Sequence, residues 1–143
     1  MLSITHLPIG LGISGLICAV LVFLKVKSKP SGEGAVVEIS DQIHLGAMVF
    51  MKSEYSRLAI FCVICLIAIT SSDLGINTAM AFLLGALCSG SAGYFGMYTA
   101  THANVRTAVA ANSKGAAEAL QVAFFGGSIM GLTVAAMGLF GIG

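Results

Sequence analysis

The stretch LGINTAMAFLLGALCSGSAGYFGMYTATHANV, residues 74–105, contains no Asp, Glu, Lys or Arg. About 20 apolar residues, each rising about 1.5 Å along a helix, are enough to cross a bilayer, so this stretch is long enough. Three other uncharged stretches lie at 1–24, 58–72 and 119–143. Of the 143 residues, 57% are hydrophobic and 9% are charged, against about 25% charged in ordinary soluble domains. The sequence therefore predicts an all-α integral membrane protein.

Four transmembrane helices are predicted within one membrane segment, 1–143. Their predicted bounds are 3–24, 55–73, 76–99 and 117–141. The second span has the shortest uncharged core. Arg57 can lengthen this span, because the apolar part of the arginine side chain can lie along the helix while the guanidinium reaches the membrane interface. Two cytoplasmic segments connect the spans, a loop and helix at 25–54 and a connection at 100–116.

Basic residues predict the orientation of the chain in the membrane. All seven lysines and arginines lie between the first two predicted spans or between the last two: Lys25, Lys27, Lys29, Lys52, Arg57, Arg106 and Lys114. Because loops rich in Lys and Arg stay in the cytoplasm, both termini are predicted on the non-cytoplasmic side. The first span has no basic region before it, so it is interpreted as an uncleaved anchor. Without a targeting segment, a bacterial or archaeal plasma membrane is favoured.

The polar segment at 25–54 contains an amphipathic pattern. Its apolar residues recur every three or four positions, at Val36, Ile39, Ile43, Ala47 and Phe50. Polar side chains occupy the other side, at Glu38, Asp41, His44 and Lys52. This periodicity predicts a cytoplasmic helix that leads into the second span. It is compatible both with a helix in the membrane interface and with one packed on other cytoplasmic helices.

Small residues recur at intervals of four on the third and fourth predicted spans. They include Gly85, Ser89 and Gly93 on the third, and Gly127 and Gly131 on the fourth. Lipid provides little hydrophobic force between helices, so small residues act by letting backbones approach closely. These five residues are therefore predicted to pack against neighbouring helices. The alternative is that glycine is simply common in membrane helices.

Residues that could carry chemistry are few. No charged residue lies near the middle of a predicted span, where ion pumps usually place one. There is no P-loop, HExxH motif, carboxylate cluster or nucleophilic triad, so no catalytic, substrate-binding or metal-binding residue is predicted. The histidines are interpreted as solvated polar residues: His6, His44 and His102. The cysteines are interpreted as packing residues: Cys18, Cys62, Cys65 and Cys88. A net charge of +1 excludes nucleic acid as a partner.

Several segments in the second half of the chain resemble a known family. They read SAGYFGM at 91–97, ANVRTA at 103–108, ALQVAF at 119–124 and GGSIMGL at 126–132, with KPSG at 29–32 upstream. The four later segments resemble the third and fourth transmembrane helices, and their cytoplasmic connection, of the membrane-bound pyrophosphatases. The upstream KPSG resembles the first cytoplasmic stretch of that family. Two residues depart from the family pattern. His102 stands where many members have arginine, and Phe125 stands where a basic residue is expected.

The resemblance implies a function for a larger protein. Members hydrolyse inorganic pyrophosphate with Mg²⁺ and couple that reaction to proton or sodium transport, as homodimers. Their catalytic residues and ion gate lie on later helices of an inner ring, so no catalytic or Mg²⁺-binding residue transfers to this chain. The four helices would belong to the outer ring, which supports the inner one in the bilayer. Arg106 is expected to anchor the connection at 100–116.

Three hypotheses follow for the function of the chain. The first is that it forms the amino-terminal outer-ring helices of a pyrophosphate-energised proton or sodium pump, as a truncated chain or an incomplete gene product, inactive alone. Its end at Gly143, without a polar tail, favours this expectation. The second is a stand-alone small membrane protein that stabilises partner helices without catalysis. The third, a proteolipid of a rotary ATPase ring, requires a carboxylate at mid-membrane, which the sequence lacks.

Overall fold

The computed structural model describes residues 6–142, and this part of the chain forms four α-helices and no strand. The helices are α1 (His6–Lys27), α2 (Ala35–Thr70), α3 (Gly75–Lys114) and α4 (Ala116–Ile142). All four are long and apolar enough to cross a membrane. The predicted all-α membrane fold is therefore confirmed.

Two helices are longer than the predicted spans. The amphipathic segment and the second span, predicted as separate pieces at 25–54 and 55–73, form one helix of 36 residues, α2. Likewise, α3 has 40 residues and continues through most of the predicted connection at 100–116. The reason is local: no proline lies within α2 or α3, and residues 100–116 are rich in alanine, which favours a helix. The outer spans correspond to α1 and α4, although the predicted start at residue 3 lies outside the described residues.

Glycines with a positive φ stand at both ends of α3. Gly115 has a φ of +86° between α3 and α4, and Gly75 has a φ of +78° where α3 begins. Residues with a β-carbon rarely adopt such angles, so glycine allows the chain to reverse within a few residues. Each reversal brings two consecutive helices side by side in opposite directions.

The four helices pack with α4 between α1 and α3, while α2 packs on α3. Ala19, Val26, Ala103 and Ile129 form the largest buried cluster, where α1, α3 and α4 meet. A second cluster joins Ala110 to residues at the start of α4. Most other large apolar side chains are exposed, as expected for surfaces that face lipid or further helices.

The contact between α3 and α4 follows a regular seam of mostly small residues. Buried residues of α4 are spaced alternately by three and four positions: Ala119, Val122, Gly126, Ile129, Thr133 and Ala136. On α3 the corresponding series is Ala92, Gly96, Thr99, Ala103, Arg106 and Ala110. This alternation is the heptad spacing of helices that wrap around each other with a left-handed supercoil. The seam is tightest where a β-carbon added at Gly126 would lie 2.5 Å from that of Ala103.

Candidate functional site

Most of the long-range polar contacts gather at one end of the helix bundle. This end combines the last turn of α1, the first half of α2, the last half of α3 and the first turn of α4. The helix directions require this meeting, because α1 and α3 run toward it and α2 and α4 run away from it. We call the contacts of Arg106, Lys29 and Glu118 the basic junction, and the cavity beside His44 and His102 the histidine pocket.

Arg106 connects α3 to the end of α1 within the basic junction. Its Nη1 donates to the carbonyl oxygen of His102 at 2.8 Å, one turn earlier on the same helix. Its Nε donates to the carbonyl of Lys29 at 3.1 Å, and its Nη2 to that of Lys27 at 3.4 Å. Only 9% of this arginine is exposed. The last carbonyls of a helix lack partners within it, so the guanidinium closes the end of α1.

Lys29 connects the same loop to α4. Its Nζ lies 2.6 Å from Oε1 of Glu118, and both side chains are largely covered, with exposed fractions of 30% and 26%. Glu118 belongs to the first turn of α4, where a negative charge also interacts favourably with the helix dipole. The α1–α2 loop is thus attached to both α3 and α4, by Arg106 and by this ion pair.

The histidine pocket begins with hydrogen bonds that orient two imidazole rings. Nδ1 of His102 lies 2.8 Å from the carbonyl oxygen of Tyr98, which can only accept, so this nitrogen carries the proton. Nδ1 of His44 lies 2.8 Å from Oγ1 of Thr101. That hydroxyl oxygen also lies 3.0 Å from the Tyr98 carbonyl oxygen. Oxygen atoms of α3 therefore orient both rings.

The pocket is a cavity of about 210 Å³ between α2 and α3. Its lining is mainly polar and consists of Ser31, Val37, Ser40, Asp41, His44, Thr101, His102, Val105 and Arg106. Asp41 and Arg106 bring opposite charges to it. Sequence reasoning missed this pocket, because His44 and His102 are far apart along the chain and each alone has the pattern of a solvated residue.

The fit of the described residues to a magnesium site can be tested on their geometry. Between residues 6 and 142, no group of three or more His, Cys, Asp or Glu side chains is arranged to hold a metal ion. Magnesium prefers several oxygen ligands, with carboxylates prominent among them. The residues present therefore do not fit a magnesium pyrophosphate site. What the geometry provides is attachment of helix ends to one another.

The residues predicted to pack helices occupy two different environments. Gly93 lies against α2, because a β-carbon there would be 2.7 Å from Oη of Tyr55, which donates to the carbonyl of Gly90 at 2.6 Å. The other four, Gly85, Ser89, Gly127 and Gly131, are exposed. A β-carbon at any of those three glycines would meet no described atom within 4 Å. Their role in packing against helices beyond this chain stays a prediction.

Other close contacts within the chain are made by Gly12, Gly15 and Gly126, which the sequence analysis does not single out, and by Gly96, which with Ala100 forms a second small-residue ridge on the third span. A β-carbon at Gly12 would lie 2.8 Å from the carbonyl oxygen of Ala136, and one at Gly15 would lie 3.0 Å from the Ala136 side chain. Gly126 lies against Ala103 and Gly96 against Met130. The heptad spacing of small residues from Ala119 to Ala136 was a usable signal for the α4 side of this contact.

Comparison with known proteins places this arrangement in a family. The sequence model described as Inorganic H+ pyrophosphatase matches residues 13–143, nearly the whole chain. The chain belongs to this family. The resemblance noted from segments 91–97, 103–108, 119–124 and 126–132 is therefore confirmed.

The relatives of this chain that carry names are pumps. A putative K(+)-stimulated pyrophosphate-energized sodium pump from Clostridium tetani is 45% identical over 122 residues, which are 85% of this chain and 18% of that pump. A K(+)-insensitive pyrophosphate-energized proton pump from Methanosarcina mazei is 38% identical, over 91% of this chain and 19% of that pump. A K(+)-stimulated pyrophosphate-energized sodium pump from Thermotoga maritima is 44% identical, over 84% of this chain and 16% of that pump. The chain thus spans about a fifth of the length of these relatives.

Proposed function

We propose that this chain forms the amino-terminal outer-ring helices of a pyrophosphate-energised proton or sodium pump. The observation that carries the proposal is the family match over residues 13–143, joined to relatives that are named as such pumps. The four helices act as a structural support. Their polar contacts hold α1, α3 and α4 together at one end, and their seams rely on small residues.

The substrate and metal chemistry belongs, in this proposal, to the rest of the pump. Pyrophosphate is a compact anion, and Mg²⁺ held by several carboxylates neutralises it. The chain has six carboxylate side chains, and the described residues bring no three of them together around a metal ion. The Mg²⁺ and pyrophosphate site therefore lies on other helices, and two copies of the complete pump form the homodimer.

Exposed apolar side chains on all four helices support a place within a larger bundle. Examples are Ile17 on α1, Phe61 on α2, Leu87 on α3 and Phe124 on α4, each at least half exposed. An apolar groove of about 560 Å³, lined by residues such as Leu16, Phe23, Tyr94, Tyr98 and Met137, runs between α1 and α3 over α4. Lipid and further helices of the pump would cover these surfaces.

A chimeric pump tests the proposed function. Residues 13–143 would replace the matching segment of the Thermotoga maritima pump, and Mg²⁺-dependent release of phosphate from pyrophosphate would be measured in membranes. We expect the chimera to hydrolyse pyrophosphate, because this chain supplies the same supporting helices. The pump without the segment, and the 143-residue chain alone, should release none. Hydrolysis by the chain alone, lost when its own carboxylates are changed to amides, would refute the supporting role.

The orientation of the chain is also part of the proposal, with both termini on the non-cytoplasmic side. It is supported by the basic residues, since the long-range contacts of Lys29 and Arg106 lie at the end of the bundle that the positive-inside rule assigns to the cytoplasm. The proposal includes a bacterial or archaeal plasma membrane as the location.

Cysteine labelling tests this orientation. In a variant without the four native cysteines, Ser31→Cys and Asn77→Cys would each be exposed to a membrane-impermeant thiol reagent; both positions are exposed in the structure. We expect Asn77→Cys to react in intact cells and Ser31→Cys only after the cytoplasmic face is opened. The opposite pattern of labelling would reverse the assigned orientation.

A further inference from the structure

The apolar groove between α1 and α3 has a lining that offers almost nothing polar to an occupant. Its volume is about 560 Å³, and it lies where α1 and α3 both pack chiefly on α4. Its two threonines, Thr99 and Thr133, donate their hydroxyl protons to carbonyl oxygens of their own helices, at 2.8 Å in each case. The other lining side chains are aliphatic or aromatic, with one methionine, Met137. Water would find few hydrogen-bond partners there, so the groove favours an apolar occupant.

The length of the groove distinguishes a lipid chain from a further helix. Along α1 its lining extends from Leu16 to Phe23, a rise of roughly 10 Å at 1.5 Å per residue. A transmembrane helix would need an apolar face along about 30 Å of hydrocarbon, whereas one acyl chain spans only half of that thickness. The groove is therefore matched to an acyl chain within one leaflet of the bilayer.

The lining changes from apolar to polar at the end of the groove nearest the basic junction. The last side chains of the groove there are Phe23 of α1 and Tyr98 of α3, whose ring centroids are 6.2 Å apart. One turn further along, Lys27 follows Phe23 on α1 and His102 follows Tyr98 on α3. Residues four apart lie on the same face of a helix, so both polar residues continue the line of the groove. Aromatic rings followed by a lysine are typical of the boundary between acyl chains and headgroups.

Lys27 brings a positive charge to this end without a countercharge. It is exposed, and neither of the two ion pairs among residues 6–142 includes it. Arg106 lies close by, with its Nη2 3.4 Å from the carbonyl oxygen of Lys27, but it shares the histidine pocket with Asp41. A negatively charged group at the end of the groove would therefore be attracted by Lys27 in particular. The phosphate of a lipid whose acyl chain lies in the groove is such a group.

We propose that the apolar groove binds one anionic phospholipid, from the leaflet on the side of the basic junction. One acyl chain lies between α1 and α3, the glycerol lies over the rings of Phe23 and Tyr98, and the phosphate contacts Lys27. The distance along α1 from Leu16 to Lys27 is roughly 16 Å, close to half of a hydrocarbon core about 30 Å thick. The bound lipid fills the space between two helices that otherwise pack chiefly on α4.

Native mass spectrometry of the 143-residue chain tests the lipid and its charge. The chain would be released from detergent micelles that contain either phosphatidylglycerol, which is anionic, or phosphatidylcholine, which is zwitterionic. We expect one phosphatidylglycerol to stay bound per chain, with an apparent affinity about fivefold above that of phosphatidylcholine, the effect of one basic residue near an anionic surface. Absence of a one-to-one complex, or equal retention of the two lipids, would overturn the proposal.

Two neighbouring lysines show whether the phosphate lies at the end of the groove. Lys27→Gln should remove the preference for phosphatidylglycerol. Lys25→Gln should keep it, because Lys25 lies two positions after Phe23 and therefore on another face of α1, where its Nζ is 4.5 Å from the ring centroid of Phe125. Equal loss of the preference in both variants would mean that the lipid responds to the overall charge of the chain, and would refute the site.

Two matched tryptophan variants show whether the acyl chain occupies the groove. Val20 lines the groove and is 57% exposed, whereas the adjacent Leu21 is 60% exposed and lies outside the lining. Val20→Trp would fill the groove with the indole ring and should abolish the one-to-one complex, and Leu21→Trp should preserve it. Circular dichroism of each variant establishes that its helices are retained. Unchanged retention of phosphatidylglycerol in folded Val20→Trp would refute the groove as its site, and reduced assembly of the chimeric pump by that same variant would then assign the groove to a further helix.

Discussion

Gly126→Ala should destabilise the chain by about 1–3 kcal/mol, the usual cost of forcing a methyl group into a packed contact. The added β-carbon would lie 2.5 Å from the β-carbon of Ala103. Neither atom can move without its backbone, so α3 and α4 must separate. Separation at this point weakens the other contacts of the seam too, because the buried residues of α3 and α4 face each other at regular spacing along both helices.

The adjacent residue provides the control for this change. Gly127 is exposed, and a β-carbon there meets no described atom within 4 Å. Gly127→Ala should leave the free energy of unfolding unchanged or raise it by up to about 1 kcal/mol, since alanine favours helix more than glycine does. Denaturation of the chain in mixed micelles with increasing SDS measures both. Equal effects of the two substitutions would mean that the α3–α4 seam is misplaced.

Gly126 tests a contact within the chain, whereas Gly127 tests contacts with helices beyond it. Gly127 and Gly131 are predicted to pack against neighbouring helices, and those neighbours would have to come from the rest of the pump. If so, Gly127→Leu should be tolerated in the isolated chain but should reduce assembly of the chimeric pump.

Arg106→Ala should lower the free energy of unfolding by roughly 3 kcal/mol. Its guanidinium supplies hydrogen bonds to the carbonyls of Lys27, Lys29 and His102, and each buried acceptor left without a donor costs about 1–3 kcal/mol. Without it, the end of α1 loses its connection to α3. Arg106→Lys should give an intermediate loss, since a lysine keeps the charge but cannot direct three N–H groups in the same geometry.

An exposed arginine provides the matched control. Arg57 contacts Glu54 at 3.3 Å and its side chain is 74% exposed, so Arg57→Ala should change stability by less than about 1 kcal/mol. In the chimeric pump, Arg106→Ala should reduce the amount assembled while each assembled pump still hydrolyses pyrophosphate. Loss of all turnover at normal assembly would instead place Arg106 in the reaction itself.

The number and class of membrane helices can be predicted well from sequence. Which side of each helix packs against its neighbours is harder to predict. Uncharged stretches reveal spans because a charge in lipid is costly, and all four helices could be predicted in this way. The continuity of α2 could not, because its first half is amphipathic and its second half is almost wholly apolar, a change that also fits two separate helices. On α4 nearly every residue is apolar, so hydrophobicity does not distinguish one face from another. Of the two selected glycines on α4, Gly127 lies one position from the buried Gly126, and Gly131 lies midway between the buried Ile129 and Thr133.

The polar end of the bundle was only partly accessible to sequence reasoning. Arg106 could be selected because it is a charged residue within the strongest family resemblance. The three carbonyl groups that it binds could not be predicted, since every residue has a backbone carbonyl whatever its side chain. The His44–His102 pair depends on how α2 turns back onto α3, which no local spacing encodes.

The unbroken length of α2 makes it a stiff rod across the membrane boundary. Its 36 residues extend roughly 54 Å, while the hydrocarbon core is about 30 Å thick. In the proposed orientation, the excess would extend beyond the membrane on the side of the histidine pocket. A tilt of about 5° in the membrane would displace the tip of a roughly 24 Å extension by about 2 Å. A small movement among lipid-embedded helices would therefore reach the surface as a displacement comparable to a hydrogen-bond length.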